Sequence, residues 1–306
     1  MSAQQIKNYL TLVRFPNLFT LPSNVFAGYF STHIQGVIEI DTIVFISVIS
    51  ACLYAAGVIF NDLADRQIDH HERPNRPIPS GRISQRNAII LGTLLLVISI
   101  TVSYFISAGA FTVTLSLIAV ILLYDFGLKN SFFGPAVMAS TRVMNIILGS
   151  SPNLGNMVEG EIDYVFFRTT LICISEFIYV LGISILSKYE THRKFPFPLL
   201  PICASFFLSP LAVGVYAVSA GLFNDNTWIY LLIFGGFLLL ILKVITFSKS
   251  AMTGSLLQKI IGLLIVGIII HDSVYIGGSL DNWYTGMSTF VLLLPAILLG
   301  KRFYVT

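Results

Sequence analysis

Residues 61–82 read NDLADRQIDHHERPNRPIPSGR and lie between two long apolar segments. On a helix, Asp62, Asp65 and Asp69 follow one another at three and four residues, so their carboxylates project from one side, beside Asn61. Such a cluster repels itself unless a cation neutralises it. Arg66, Arg73, Arg76 and Arg82 accompany the acids, and Pro74, Pro77, Pro79 and Gly81 turn the second half of the stretch into a fixed loop. Acids beside bases suit a divalent cation carrying an anionic ligand. Hard oxygen donors with no cysteine nearby favour magnesium over zinc. A solvated loop is the ordinary meaning of a charge run, but it does not explain carboxylates in register at the end of an apolar helix.

The elements that must hold these groups are membrane helices. The chain has 306 residues, 55% hydrophobic and 11% charged, with a mean hydropathy of +0.83, which excludes an ordinary soluble domain. Ten apolar segments lie near residues 15–33, 41–60, 87–107, 109–124, 133–150, 164–187, 198–220, 227–247, 258–277 and 286–300, the last being the shortest. A crossing helix needs about 20 apolar residues. The expected fold is therefore all-α: a polytopic bundle of nine or ten transmembrane helices around a central cavity, with residues 1–306 as one domain. Two pseudo-similar halves are expected at about 15–124 and 133–247, followed by C-terminal helices. The alternation of a membrane β-barrel is absent.

Charge placement orients the bundle. With the N-terminus inside, all but two of the 18 Lys and Arg residues fall on the inner side, the exceptions being Arg142 and Arg168. Both ends and the polar loops 61–86 and 187–195 are then cytoplasmic, in a bacterial inner membrane, with the two loops able to meet over one cavity. The N-terminal stretch has no cleavage pattern and is expected to be a retained first helix preceded by a short surface segment. The net charge of +3 is too small to argue for nucleic acid. Cys52, Cys173 and Cys203 sit in apolar segments without CxxC spacing and are expected to be packing residues. Arg142 and Glu176 are expected at similar depth, paired as a staple or orienting an acceptor. His271 and Asp272 are expected to form a polar helix end, and His70 and His71 to be solvated.

NDLADRQID followed by RPNRPIPSGRIS resembles the first signature of the UbiA family of intramembrane prenyltransferases. YDFGLKNSFFGP at 124–135 is similar to the family's loop after the fourth helix, with Tyr124, Leu128, Lys129 and Gly134 matching. RFPNLFT at 14–20 is similar to its first-helix entry, which implies that Asn17 faces the cavity. Within the family, LLYD at 122–125, TRVMN containing Arg142 and Asn145, and LSKYE at 186–190 resemble the EboC-like subgroup.

The resemblance implies that Asn61, Asp62, Asp65 and Asp69 hold Mg2+ bridging a prenyl diphosphate. Arg73, Arg76, Lys129 and Arg193 or Lys194 would clamp its phosphates. Aromatic faces such as Tyr54, Phe60 and Tyr124 would stabilise an allylic cation, and Asn17, Arg142 and Asn145 would contact substrate. The chain would pass the isoprenoid group to an aromatic or small lipophilic acceptor reached from the membrane lipid. The second signature departs from the pattern. In ILSKYETHRKF only Glu190 stands where several aspartates are usual, and Ile183 and Lys194 occupy other acid positions. A basic clamp in place of the second metal, a single metal, or altered activity all remain open. The alternative is a non-catalytic or transport-associated protein that keeps a lipid- or diphosphate-binding cavity.

Overall fold

A computed structural model describes residues 2–33, 37–154, 159–189, 200–247, 254–280 and 282–303, among which every regular element is a helix. Apolar surroundings offer the backbone no water, so its polar groups must be satisfied within each segment, and helices do so. A short helix, α1 (Ala3–Leu12), opens with a capping box in which Ser2 and Gln5 exchange backbone and side-chain bonds. A 3-10 turn over Phe15–Thr20 leads into α2 (Leu21–Thr32). Next come α3 (Ile40–Ala64), α4 (Arg66–Glu72), α5 (Gln85–Ile106) and α6 (Ala108–Leu123). Ser107 alone separates α5 from α6, and its side chain caps α6 by accepting from the Ala110 amide, which makes the two a tight hairpin.

A π turn over Tyr124–Leu128 extends α6. Then follow α7 (Gly134–Ser150), α8 (Ile162–Ser187), α9 (Leu200–Ser219), α10 (Thr227–Phe247), α11 (Gly254–Ser279), α12 (Tyr284–Ser288) and α13 (Leu293–Phe303).

By length and composition alone, fewer helices qualify as crossing ones than the expected nine or ten. Among the described residues six helices are long and apolar enough to cross a membrane: α3, α5, α6 with its π turn, α8, α10 and α11. The segment at 15–33 is interrupted, because Arg14 sits at φ 48 and Pro16 starts a 3-10 turn, leaving α2 only 12 residues. α7 has 17 residues, and 286–300 is broken by a 3-10 turn at Thr289–Leu292. Hydropathy detects apolar composition but not the continuity of the helix.

The short α2 lies against α3, α7, α8 and α11. Its crossing with α7 brings backbone to backbone. A Cβ on Gly28 would stand 1.9 Å from the Ile146 carbonyl oxygen, and one on Gly149 would stand 2.2 Å from that of Val25. At the C-terminal end of α2 the buried Arg168 of α8 donates Nε to the Ser31 carbonyl at 2.7 Å and Nη2 to that of Phe30 at 2.9 Å. Its guanidinium lies 5.4 Å and 5.6 Å from the Tyr164 and Phe223 rings. A cation at the negative end of a helix explains why this arginine departs from the charge bias.

We predict that Gly28→Val and Gly149→Val each destabilise the protein by about 2 kcal/mol or more through overpacking. Gly236→Val, where an added Cβ meets nothing within 4 Å, is expected to leave the melting temperature unchanged in the same detergent.

Candidate functional site

The three aspartates gather at the junction of α3 and α4. Asp62 closes the buried side of α3, Asp65 forms the break between the helices, and Asp69 lies one turn into α4, with Asp62 and Asp69 only 3% and 1% exposed. Proline and glycine fold the following loop back over them. Arg76 Nη1 donates to Asp62 Oδ1 at 3.1 Å and to Asp69 Oδ2 at 2.7 Å, and Arg73 Nη1 stands 3.7 Å from Asp69 Oδ1. Arg82 braces the loop by donating to the Ser80 hydroxyl and the Asn75 carbonyl.

Two further cations arrive from elsewhere in the chain. Arg14, held in its left-handed conformation before the first 3-10 turn, donates Nη2 to Asp62 Oδ1 at 3.2 Å. Lys129, just past the π turn, donates Nζ to Asn61 Oδ1 at 2.5 Å and to Asp65 Oδ2. The structure thus gathers Asn61, Asp62, Asp65, Asp69, Arg73, Arg76 and Lys129 into one cluster, and adds Arg14. Each of the three acids faces at least one cation.

A second polar group lies deeper among the helices. Asn17 donates Nδ2 to Tyr54 Oη at 3.1 Å, and the Arg142 guanidinium lies 5.8 Å from the Tyr54 ring. Arg142 donates to Asn24 Oδ1 at 3.0 Å and to Thr20 Oγ1 at 3.1 Å. Asn24 in turn donates Nδ2 to Glu176 Oε1 at 3.1 Å and Asp272 Oδ2 at 2.8 Å. The expected direct Arg142–Glu176 pair is therefore replaced by an amide bridge. Equal depth brings the two side chains to the same level, but α2 runs between them.

His271 and Asp272 do not form a polar helix end. Both are buried, with His271 Nδ1 3.0 Å from Glu176 Oε2 and 3.3 Å from Asp272 Oδ1, and Ser23 donating to Asp272 Oδ2 at 2.6 Å. Glu176, His271 and Asp272 each offer a ligand atom within 4.8 Å of the others. Arg142, however, lies one amide away, and His271 can neutralise the acids, which disfavours an added cation there. Asn145 is engaged within the fold, accepting from Ser50 Oγ at 2.5 Å and donating to the Leu21 carbonyl at 3.3 Å.

His70 and His71 are exposed on the far side of α4, where they line an open groove of about 630 Å³ that none of the three aspartates borders. Tyr124 belongs to the π turn. Glu190, Arg193 and Lys194 lie outside the described residues.

Sequence reasoning missed Arg14 and Asn24 as members of these polar groups. The spacing of Thr20 and Asn24 was a usable signal, since positions four apart share a helix face. The donors of the inner cluster, an amide oxygen and carboxylates, are all hard oxygens. This donor chemistry fits a divalent cation such as Mg2+.

A model of the UbiA prenyltransferase family matches residues 21–255. The chain belongs to this family. The digeranylgeranylglyceryl phosphate synthase of Sulfurisphaera tokodaii is 32% identical over 145 residues, 47% of this chain and 52% of that protein. The enzyme of the same name from Sulfolobus acidocaldarius is 31% identical over 175 residues, 54% and 60% of the two chains. The chain thus spans about half the length of the curated relatives it matches. The UbiA fold is shared with a homologue from Aeropyrum pernix K1, at TM-score 0.67 and 15% identity over 84% of this chain and 96% of that one. It is also shared with a homologue from Archaeoglobus fulgidus bound to GPP and Mg2+, at TM-score 0.63 and 16% identity over 87% and 99%. This UbiA-family chain is an integral membrane protein by its family and its six apolar helices.

Asn24→Leu is expected to destabilise the fold by roughly 2 kcal/mol or more, because Arg142, Glu176 and Asp272 lose a shared partner at once. Thermal unfolding in detergent reads this loss, and combining Asn24→Leu with Arg142→Met should give less than the sum of the single losses.

Proposed function

We propose that the protein is a Mg2+-dependent intramembrane prenyltransferase that moves an isoprenoid chain from a prenyl diphosphate to a lipophilic acceptor. The observation that carries this reading is the neutralised acid cluster of Asp62, Asp65 and Asp69 under Arg73, Arg76 and Lys129. Before ligands arrive, the basic side chains and the acids satisfy each other. A cation and a diphosphate allow both sets to change partners without leaving a buried charge bare: the carboxylates and Asn61 hold the cation, while Arg73, Arg76 and Lys129 turn to phosphate oxygens. Bound Mg2+ supplies positive charge against the leaving diphosphate.

In the reaction the carbon–oxygen bond at C1 of the donor breaks and the diphosphate departs with the electron pair. The acceptor oxygen or carbon then attacks C1 and loses its proton. Tyr54 and Tyr124 would offer aromatic faces to the allylic cation.

Asn17 and Arg142 converge on Tyr54 and would orient the acceptor's polar head. The relatives are named for a glyceryl phosphate product bearing two geranylgeranyl groups. That name favours a hydroxyl acceptor near an anionic head over an aromatic ring, and Arg142 would supply the matching cation. The finer likeness to the EboC-like subgroup rests on the segments LLYD, TRVMN and LSKYE. The charge bias supports a topology with the site facing the cytoplasm of a cell membrane. The second reading, a non-catalytic protein with a lipid- or diphosphate-binding cavity, is favoured by one feature alone, the single acid Glu190 in the second loop.

Membranes given Mg2+ and labelled prenyl diphosphates of several lengths, with glyceryl phosphate lipids or aromatic acceptors, are expected to release diphosphate. Asp65→Asn is expected to cut that release by roughly 100-fold or more. Tight donor binding without release across the whole panel would instead support the second reading.

A further inference from the structure

The groove beside His70 and His71 carries basic side chains that no acid answers. On α4, Arg66 and His70 lie four residues apart, as do Gln67 and His71, so the four share one broad side of the helix, and all of them line the groove. The acids of α4 stand elsewhere. Asp69 is buried and taken by Arg73 and Arg76, while Glu72 is exposed outside the groove. Across the gap stands Gln85, the first residue of α5, a helix with no acid in its first turn. Among the described residues, therefore, no carboxylate lines the groove.

Arg66 differs from the other cations at this junction. Arg14, Arg73, Arg76 and Lys129 each meet an aspartate, and Arg82 is bonded to Ser80 and Asn75. Arg66 donates Nη1 to the Leu63 carbonyl at 3.2 Å and forms no ion pair among the described residues. His70 and His71 meet each other edge to face and likewise form none. An exposed cation needs no explanation in water, but this groove opens at a membrane boundary. α5 is long and apolar enough to cross, and Gln85 begins it. One turn further along α5, Ile89 is exposed, and Ile90, Leu94 and Val97 are exposed beyond it. Ile68, also exposed, adds an apolar edge to the groove itself. Unpaired positive charge thus stands at the head of an apolar track. A free anion would match only the charge, whereas an anion joined to a hydrocarbon chain matches both.

We infer that this groove binds an anionic phospholipid of the surrounding membrane. Its phosphate would lie between Arg66 and the two imidazoles, with Gln67 and Gln85 as further hydrogen-bond donors. One acyl chain would follow Ile89, Ile90 and Leu94 down α5. Because another side of α4 carries Asp69, the bound lipid would brace from behind the short helix that completes the acid cluster.

The test uses the full chain in neutral detergent, titrated with phosphatidylglycerol or phosphatidylcholine of equal chain length, with bound lipid counted by native mass spectrometry. The wild type is expected to bind one phosphatidylglycerol about tenfold more tightly than phosphatidylcholine, and to melt higher when it is bound. Arg66→Gln combined with His70→Gln and His71→Gln is expected to lose that preference. All three side chains are exposed, so the variant should melt like the wild type in the absence of lipid. Arg66→Gln alone is expected to lose part of the preference. Lys243→Gln, which removes an exposed cation on α10, is expected to keep it. No preference in the wild type, an undiminished one in the triple variant, or an equal loss in Lys243→Gln overturns the inference. Displacement of phosphatidylglycerol by excess inorganic phosphate would mark a site for a free anion and overturn the assignment to lipid.

Discussion

Three carboxylates within two helical turns cannot stand buried and unneutralised, and much of the inner face is arranged around that constraint. Arg76 reaches both Asp62 and Asp69, so the proline-rich loop that carries it must close over the α3–α4 junction rather than extend into water. Lys129 is drawn from the end of α6 to Asn61 and Asp65, and Arg14 from before α2 to Asp62. Four separate parts of the chain are thereby fastened to one point. Ion pairs of this kind contribute little when solvated, but breaking one beside a buried partner is strongly unfavourable. The same pairing leaves the site prepared: charges already matched can exchange partners with a cation and an anion at little electrostatic cost.

Helix α2 plays the complementary part inside the bundle. It is too short to cross a membrane alone and is almost wholly buried, and its two ends are tied by arginines from other helices. Arg142 meets Thr20 and Asn24 near its start, and Arg168 meets the carbonyls of Phe30 and Ser31 at its end. Between them, Gly28 and Gly149 let α2 and α7 touch at the backbone. Apolar packing tolerates sliding and rotation. A buried amide that must serve Arg142, Glu176 and Asp272 together tolerates neither, and this ties the register of α2, α7, α8 and α11 to one another.

Much of this was readable before the fold. The spacing of Asp62, Asp65 and Asp69 and the proline-rich arginine loop are local patterns, and the structure reproduces each. The number of crossings was not readable, because an apolar run such as 15–33 has the same composition whether or not Arg14 and Pro16 break its helix. The partner of Arg142 was misread for a related reason. Depth along a helix can be inferred from position in the chain, but which helix lies between two others cannot. His271 and Asp272 looked like a helix end because polarity near a terminus usually marks one, whereas here Glu176 and Ser23 receive them inside.

What the amino-acid sequence determined by itself is the membrane class, the helical architecture and the spacing that brings three acids together. All of these follow from composition or from the 3.6-residue period, which acts over a few residues. The tertiary structure alone decided which charges meet. Arg14 and Asp62 are separated by 48 residues, and Lys129 and Asp65 by 64. Their meeting depends on how whole helices pack, and no local periodicity reports that.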